Sequence, residues 1–191
     1  MQYKHTNEEL KRSQELPLQD KIIMTKLRIK EYYEQLDGEV YVSFSGGKDS
    51  TVLLHIAREI YPDIPAVYAD TGLEFPEIKQ FVKQFDNVTI IRPEKSFRQV
   101  IEEYGWVFPS KDVAKIIRYA RQGSHWALNA LNGKFSNGNE SIFYKDRYIK
   151  WMGLLDADIK IDDRCCLIMK EKPLKNFEKS NKVHPINTHL C

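Results

Sequence analysis

A short glycine-containing segment, set between an expected strand and an expected helix, constrains this chain more than any other feature. Residues 39–44 alternate apolar and polar side chains, which is typical of a strand, and residues 50–60 carry apolar side chains at helical spacing. Between them Ser45–Ser50 reads SGGKDS, and its glycines let the backbone turn sharply and approach a ligand closely. Because a helix begins with unpaired N–H groups and the positive end of its dipole, this corner predicts an anion site, above all for phosphate.

The side chains of the same corner suit a phosphate ligand. Lys48 adds a mobile positive charge, Ser45 and Ser50 add hydroxyl donors, and Asp49 is placed to orient Lys48 or a metal ion. The spacing excludes the Walker A loop, which needs four residues between its first glycine and its Gly-Lys pair, whereas here there are none. A simple glycine turn that caps a helix is the alternative interpretation.

Composition places the chain among ordinary globular proteins. It has 191 residues, of which 42% are hydrophobic and 29% charged, enough for one domain with a buried core. The net charge of +2 does not by itself indicate a nucleic-acid-binding protein. No apolar run approaches the ~20 residues of a membrane helix, and the N-terminus lacks the apolar core of a signal peptide. Three cysteines, two of them adjacent, do not form a disulfide framework. We therefore expect a cytoplasmic protein without a membrane partner.

Strands and helices alternate through the first half of the chain. Residues 1–16 are polar and are expected to be partly loose, and a helix is predicted over 17–36. Three strands follow, each continued by a helix, with the strands at 39–44, 64–69 and 88–91 and the helices at 50–60, 76–85 and 96–104. This alternation predicts an α/β fold, a parallel sheet with helices on both faces. Ligands of such sheets bind beyond the carboxyl ends of the strands, where both Ser45–Ser50 and Asp70–Gly72 are expected to lie.

From Trp106 the pattern becomes helical, basic and aromatic. Helices are predicted at 111–122, 126–131 and 143–155, with a polar loop at 133–141. Interleaved cations and aromatic rings can stack on and neutralise nucleotides, which leaves nucleic acid open as a partner. The surface of an amphipathic helical subdomain explains the same residues, and it is the favoured interpretation. The residues are Lys115, Arg118, Tyr119, Arg121, His125, Trp126, Lys134, Phe135, Tyr144, Lys145, Arg147, Tyr148, Lys150 and Trp151.

The last part of the chain contains the adjacent Cys165 and Cys166, followed by apolar residues 167–169 that predict a short buried helix. Adjacent cysteines on such a helix can be small buried hydrophobic residues. A zinc ion or an iron–sulfur cluster would need four ligands, and His184, His189 and Cys191 would complete the set only at a spacing that matches no standard metal signature. A metal is therefore not favoured. A disulfide between neighbouring residues is disfavoured by its strained ring.

Taken together, these pieces resemble the phosphoadenosine phosphosulfate (PAPS) reductase family of the PP-loop ATP pyrophosphatase superfamily, in particular its members from phages and mobile elements. Three stretches carry the resemblance, which covers the chain from about residue 39 onward: SGGKDS at 45–50, YADTGLEFP at 68–76, and RCC at 164–166 with KEKP at 170–173. The resemblance implies an adenine nucleotide alpha hydrolase-like fold. In it, 1–38 is an N-terminal helical segment, 39–105 the nucleotide-binding core, and 106–191 a helical insert and C-terminal extension of the same domain.

The resemblance also implies a small-molecule adenine nucleotide as the ligand. Lys48 and Asp49 are expected to act in catalysis, and Cys165 and Cys166 are candidates for a thiol or cluster role. The phosphates are expected at Ser45–Ser50, and the adenosine near the main chain of 42–44 and at Asp70–Gly72. The residues implied in nucleotide binding are Ser43, Phe44, Ser45, Gly46, Gly47, Lys48, Asp49, Ser50, Asp70, Thr71, Gly72 and Arg164.

Three functions are compatible with these motifs. The leading one is an enzyme that cleaves ATP, bound with Mg²⁺, at the α-phosphate in sulfur metabolism or nucleic-acid modification. It is favoured because Lys48 and Asp49 are both present, whereas the loop of PAPS reductases usually lacks this lysine. The second is a thiol-dependent reductase of adenylyl sulfate or PAPS, and the third is a non-catalytic nucleotide-binding or DNA-associated module. A homo-oligomer is compatible with all three.

The chain also departs from the pattern of the family. It has no C-terminal Glu-Cys-Gly segment with the reductase cysteine and no second Cys-x-x-Cys after Cys165 and Cys166. It ends before the Glu-Ser-x-x-Arg stretch that the family has soon after the position of Pro185. We therefore expect either a truncated chain or a divergent short form.

Overall fold

The computed structural model describes residues 6–188, which contain helices and a four-stranded sheet. The helices are α1 (Asn7–Glu15), α2 (Leu18–Gln35), α3 (Lys48–Ile60), α4 (Pro76–Val82), α5 (Phe97–Tyr104), α6 (Lys111–Arg121), α7 (His125–Leu131), α8 (Ile142–Tyr148) and α9 (Lys172–Asn181). The strands are β1 (Val40–Ser43), β2 (Ala66–Ala69), β3 (Val88–Ile91) and β4 (His184–Ile186). A 3-10 helix over Ile149–Leu154 and a π-helical turn over Leu167–Glu171 complete the regular structure.

The chain divides into two compact units. The first consists of the residues up to Arg92 together with those from Leu174 onward, and it contains the whole sheet. The second consists of Pro93–Pro173, and its regular secondary structure is helical. The first unit is thus assembled from two separate stretches of sequence, and the second from one.

All strand pairs of the sheet are parallel, in the order β3-β2-β1-β4. Val42 of β1 stands opposite Ala66 of β2 on one side and Ile186 of β4 on the other. Along the chain, β2 and then β3 are added on one side of β1, and β4 pairs with β1 on its other side. The strand order therefore reverses at β1, and open parallel sheets bind ligands beyond the carboxyl ends of the strands at such a reversal.

Helices cover both faces of this sheet. Val40, Val42 and Phe44 point to one face and are buried with Leu53 and Leu54 of α3. Tyr41 points to the opposite face, as strand alternation requires. Its hydroxyl donates a hydrogen bond of 2.8 Å to Glu178 Oε1 on α9, and its ring packs edge-on against Phe177. The predicted fold, a parallel sheet with helices on both faces, is confirmed.

Residues 1–16 were expected to be partly loose; of these, residues 1–5 lie outside the described part of the chain, and the described remainder is mostly helical. Residues 7–15 are not loose but form α1, because Thr6 and Glu9 cap its start reciprocally, each side chain accepting a hydrogen bond from the other residue's backbone N–H. A fourth strand, β4, was not predicted. It is short and contains Pro185, which an edge strand tolerates because one row of its backbone groups needs no partner in the sheet.

The second unit has its own apolar core, formed by residues of α6, α7 and α8 together with Ile161. The helix predicted over 143–155 is α8 followed by the 3-10 helix, and the short helix predicted at 167–169 is the π-helical turn, in which only Met169 is buried. Nowhere in residues 6–188 does a helix combine the length and the apolar character needed to cross a bilayer.

Candidate functional site

The loop between β1 and α3 is closed by its own serines. Ser50 Oγ accepts a hydrogen bond of 3.1 Å from the Ser45 N–H and donates one of 3.0 Å to Gly47 O. The hydroxyls of Ser45 and Ser50 are 2.9 Å apart, and Ser45 Oγ accepts a further bond of 3.3 Å from the Gly47 N–H. Phe44 donates its N–H to Val67 O at 2.9 Å, which ties the start of the loop to β2. The loop is therefore held in one shape by its own hydrogen bonds.

Gly46 makes the close turn in this loop possible. Its φ of +73° lies in the left-handed region that favours glycine. A Cβ atom at this position would come within 2.8 Å of Ile78 Cγ2 and 2.9 Å of Val82 Cγ2, both on α4. The backbone of the loop thus lies directly against α4, at a distance that no other residue type permits.

The start of α3 combines backbone N–H groups that have no partner inside the helix with the exposed side chain of Lys48. The first main-chain bond of the helix runs from the Thr51 N–H to Gly47 O, so the N–H groups of Lys48, Asp49 and Ser50 have no partner inside the helix. Lys48 and Asp49 are exposed, and within residues 6–188 no ion pair engages the Lys48 ammonium group. Backbone donors, the helix dipole and a mobile lysine thus favour an anion at one point.

Asp70 lies at the same edge of the sheet, directly after β2, and is held by two cations. Lys79 Nζ lies 2.7 Å from Asp70 Oδ1, and Arg92 Nε lies 3.3 Å from Asp70 Oδ2. Burial alone would raise the pKa of Asp70, but the hydrogen bonds from Lys79 and the Gly72 N–H outweigh it and hold the pKa below the ordinary aspartate value. Asp70 is therefore an ionised, buried carboxylate at neutral pH.

The residues around Asp70 form a compact polar turn. Thr71 donates its hydroxyl to Glu74 Oε1 at 2.8 Å and its N–H to Glu74 Oε2 at 3.1 Å. Tyr68 lies two residues before Asp70; it is buried, and its hydroxyl has no hydrogen-bond partner within the described part of the chain. Burial, with the nearby carboxylates of Glu74 and Asp70, raises the pKa of Tyr68 to about 12. A buried hydroxyl without a partner is unusual and often marks a place where a ligand or water binds.

A cavity of about 460 Å³ opens on the other side of Lys48, a volume within the usual range of small-molecule sites. Val52, Leu53 and Ile56 of α3 form its apolar wall, and the polar residues that line it are Lys48 and Asp49 at the start of α3 with two threonines. The residues that line it are Thr25, Lys48, Asp49, Val52, Leu53, Ile56 and Thr188. Thr188 follows β4, whereas Asp70 follows β2, and β1 lies between these two strands. The loop is thus flanked by the Asp70 turn on one side and by this cavity on the other.

Arg164 belongs to the second unit, and its guanidinium group is bound to Asp162. Arg164 Nη2 lies 2.6 Å from Asp162 Oδ2, and Arg164 Nε lies 3.0 Å from both carboxylate oxygens. The guanidinium carbon also lies 5.1 Å from the centre of the Tyr104 ring. These contacts fix the side chain within its own unit.

Cys165 and Cys166 lie beside Arg164 as free thiols, with their Sγ atoms 4.0 Å apart. Burial, and then the neighbouring Cys166, raises the pKa of the Cys165 thiol, which favours the protonated form. No group of three or more histidine, cysteine, aspartate or glutamate side chains suited to a metal ion occurs within residues 6–188. The metal set considered with His189 and Cys191 lies partly outside the described residues.

Three residues of the site were missed by the sequence reasoning: Lys79, Arg92 and Glu74. Arg92 directly follows β3, just as Asp70 follows β2, so its position at the same edge of the sheet was available as a signal. Lys79 lies one turn into α4 and reads as an ordinary solvated lysine. Only the packing of α4 against the sheet shows that it reaches Asp70.

Residues 39–132 match the model of the phosphoadenosine phosphosulfate reductase domain. The matched stretch contains the whole Ser45–Ser50 loop, the Asp70 turn, Lys79 and Arg92. It does not reach Arg164, Cys165 or Cys166.

Individual relatives each match part of the chain. A phosphoadenosine 5'-phosphosulfate reductase of Serratia proteamaculans is 39% identical over 74 residues, 36% of this chain and 30% of the relative. The reductase of the same name from Vibrio parahaemolyticus is 36% identical over 83 residues, 41% of this chain and 32% of the relative. An uncharacterized protein of Methanocaldococcus jannaschii is 37% identical over 91 residues, 44% of this chain and 22% of the relative. The matches thus span less than a third of these curated relatives.

Proposed function

We propose that this chain, whose residues 39–132 match the phosphoadenosine phosphosulfate reductase domain, binds an adenine nucleotide at the carboxyl edge of its sheet. The anionic end of the nucleotide occupies the Ser45–Ser50 loop, and the nucleoside lies toward the Asp70 turn. The observation that carries the proposal is that, at the strand-order reversal, the start of α3 presents N–H groups without a partner inside the helix next to Lys48, which no ion pair within residues 6–188 engages.

The leading form of this proposal is an enzyme that cleaves ATP at the α-phosphate. An oxygen nucleophile of an acceptor forms a bond to the α-phosphorus. The bond from that phosphorus to the α–β bridging oxygen breaks, and pyrophosphate leaves with the electron pair. The N–H groups at the start of α3 and the Lys48 ammonium would stabilise the charge that develops on the pyrophosphate. Asp49, exposed beside Lys48, would accept the proton of the acceptor hydroxyl.

Mg²⁺ enters this proposal only as part of the MgATP substrate. Protein sites for Mg²⁺ in nucleotide enzymes often supply one or two carboxylates while the phosphates supply the other ligands. The described residues hold no larger ligand group, and Asp49 is the carboxylate of the loop that fits this limited role.

The acceptor is proposed to enter the cavity beside Lys48. This cavity adjoins the loop on the side away from Asp70, so an acceptor there would approach the phosphates without displacing the nucleoside. Val52 on its wall is exposed, and Val52→Trp would fill the space without touching the loop. We expect this variant to keep its affinity for MgATP and to lose turnover, whereas loss of both would show that the cavity holds the nucleotide itself.

A thermal-shift screen with MgATP, adenylyl sulfate, PAPS and adenosine tests the proposal. We expect MgATP to raise the melting temperature most and adenosine least. An equal rise with adenosine and MgATP, or no rise with any nucleotide, would refute the placement of phosphates in the loop. Release of pyrophosphate from MgATP in the presence of candidate acceptors then tests the reaction.

The second candidate is a thiol-dependent reductase of PAPS or adenylyl sulfate, and the names of the relatives favour it. In that reaction a thiolate attacks the sulfur of the sulfate group, the bond from sulfur to the bridging phosphate oxygen breaks, and the nucleotide leaves. The raised pKa of Cys165 counts against a thiolate there at neutral pH. A larger thermal shift with PAPS than with MgATP would favour this candidate over the first.

A further inference from the structure

Exposed aromatic rings form a continuous group around α8 in the second unit. Phe135, in the loop before α8, packs against Tyr144 with ring centres 5.4 Å apart, and Tyr144 packs against Phe143 at 5.8 Å. Yet 45% of Phe135 and 59% of Phe143 remain exposed to solvent. Rings of this size are usually buried, and an exposed cluster of them marks an interaction surface.

Basic residues lie next to these rings in the structure or in the sequence. The guanidinium carbon of Arg147 lies 5.3 Å from the centre of the Phe143 ring, while its Nε donates to Asp112 Oδ2 at 3.0 Å. Lys134 and Lys145 are exposed, and within the described part of the chain no ion pair involves either. We call the six residues Phe135, Phe143, Tyr144, Arg147, Lys134 and Lys145 the α8 platform.

The two lysines of the platform lie near each other across the loop. A Cβ atom on Gly133 would come within 3.1 Å of Lys145 Cα, so the backbone next to Lys134 is packed against the backbone of Lys145. Residues 133–151 hold four cations, Lys134, Lys145, Arg147 and Lys150, against two carboxylates, Glu140 and Asp146, and Asp112 of α6 adds a third beside Arg147. The surface around the rings is therefore net positive.

Two arginines of the second unit, by contrast, have structural partners. Arg118 Nε lies 2.6 Å from Asp163 Oδ1. Arg121 donates hydrogen bonds to four main-chain carbonyl groups, those of Leu154, Leu155, Ala157 and Ile159. These two arginines connect parts of the second unit, whereas no ion pair within residues 6–188 involves Lys134 or Lys145.

We propose that the α8 platform binds single-stranded nucleic acid. Bases would stack on Phe135 and Phe143, and phosphates would contact Lys134, Lys145 and the free nitrogens of Arg147. Charge complementarity selects this occupant over a protein partner, because the buried centres of protein interfaces are depleted of lysine. The inference goes beyond the proposed function, since it uses no residue of the nucleotide site.

Fluorescence anisotropy of the full chain with a labelled thymidine oligonucleotide of about 12 residues tests this proposal. We expect binding at about 50 mM salt that weakens as salt rises. Phe135→Leu with Phe143→Leu keeps the apolar character but removes both rings, and should weaken binding about tenfold or more. Lys134→Ala with Lys145→Ala should reduce the salt slope by about 1.4, because two phosphate contacts are lost.

A matched control removes two exposed lysines from the first unit, as Lys11→Ala with Lys83→Ala, and should change the affinity little. Circular dichroism checks that every variant is folded. Absence of binding to the oligonucleotide would overturn the proposal, as would an unchanged affinity in the leucine variant or equal affinity for a duplex of the same length. Sedimentation of wild type and of the leucine variant measures self-association. Self-association that depends on Phe135 and Phe143 and excludes the oligonucleotide would overturn the proposal as well.

Discussion

Gly46 leaves no space for a side chain beside Ile78, because a Cβ atom at position 46 would lie 2.8 Å from Ile78 Cγ2. The contact is rigid, since Ile78 is β-branched and Val82, also in contact, is buried in the core of the first unit. The shape of the loop between β1 and α3 is therefore set by the packing of α4 as well as by the loop's own hydrogen bonds.

Gly46→Ala should consequently destabilise the protein by about 2–4 kcal/mol, from the left-handed backbone and the overlap with α4 together. Gly123→Ala is the matched control, because Gly123 also has a positive φ, of +80°, but has nothing within 4 Å of the added Cβ. It should cost only about 1–2 kcal/mol. Urea unfolding followed by circular dichroism measures both changes, and equal losses would mean that the contact with α4 is not rigid.

Lys48→Ala should weaken the binding of MgATP far more than that of adenosine. Loss of a charge-assisted phosphate contact costs roughly 1.5–3 kcal/mol, about ten- to a hundred-fold in affinity. Adenosine has no phosphate, so its affinity should hardly change. Calorimetric titration of each ligand decides the matter, and equal losses would mean that the role of Lys48 is structural.

Asp70→Ala should lower the affinity for adenosine and for MgATP alike, because Asp70 lies where the nucleoside is proposed to bind. The same titrations measure both. If only MgATP binding changes, Asp70 acts through its partners Lys79 and Arg92 on the phosphates, and the nucleoside lies elsewhere.

Asp70 also predicts how stability depends on pH. Its pKa is lower in the folded protein than in the unfolded chain, where an aspartate has a pKa of about 3.9. The stabilisation from its ionised form is therefore fully present above that value and is lost as the pH falls through the lower, folded pKa. The difference in unfolding free energy between wild type and Asp70→Asn, measured by urea unfolding, should be constant at pH 6–7 and shrink at about pH 3. A difference that grows in acid would contradict the assigned ion pairs.

Cys165 and Cys166 should remain free thiols, and Cys165 should react slowly at neutral pH because its pKa is raised. Their Sγ atoms are 4.0 Å apart, about twice the length of a disulfide bond, and adjacent Cα atoms on a trans peptide are closer than most disulfides accept. Alkylation followed by mass mapping of protein purified under reducing conditions should show both as unpaired. A bridge between residues 165 and 166, or alkylation of Cys165 as fast as that of a low-pKa thiol, would contradict this expectation.

The sequence predicted the part of the fold whose pattern is local. The apolar alternation of 39–44 and the helical spacing of 50–60 follow directly from strand and helix periods, so β1 and α3 were expected where they occur. The parallel sheet then followed from the repeated alternation of strands and helices. Because parallel strands end at a common edge, the loop and Asp70 were expected to be neighbours.

The features that could not be predicted from the sequence depend on contacts between residues that are far apart in the chain. β4 has only three residues, and its pairing with β1 cannot be seen in its own pattern. Lys79 and Arg92 look like surface cations until α4 and β3 are packed next to Asp70. The α8 platform was recognised only as a mixed basic and aromatic region, because composition does not distinguish Arg118 and Arg121, which bind within the unit, from Lys134 and Lys145.

The pairing of Val40 with His184 also sets an order for biosynthesis. β1 emerges early from the ribosome, but its edge stays open until β4 has been made, after the whole of Pro93–Pro173. The second unit is a single uninterrupted stretch with its own apolar core, so every residue it needs is available first. During translation β1, which leads into the SGGKDS loop, can therefore pair on one side only until β4 has been synthesised.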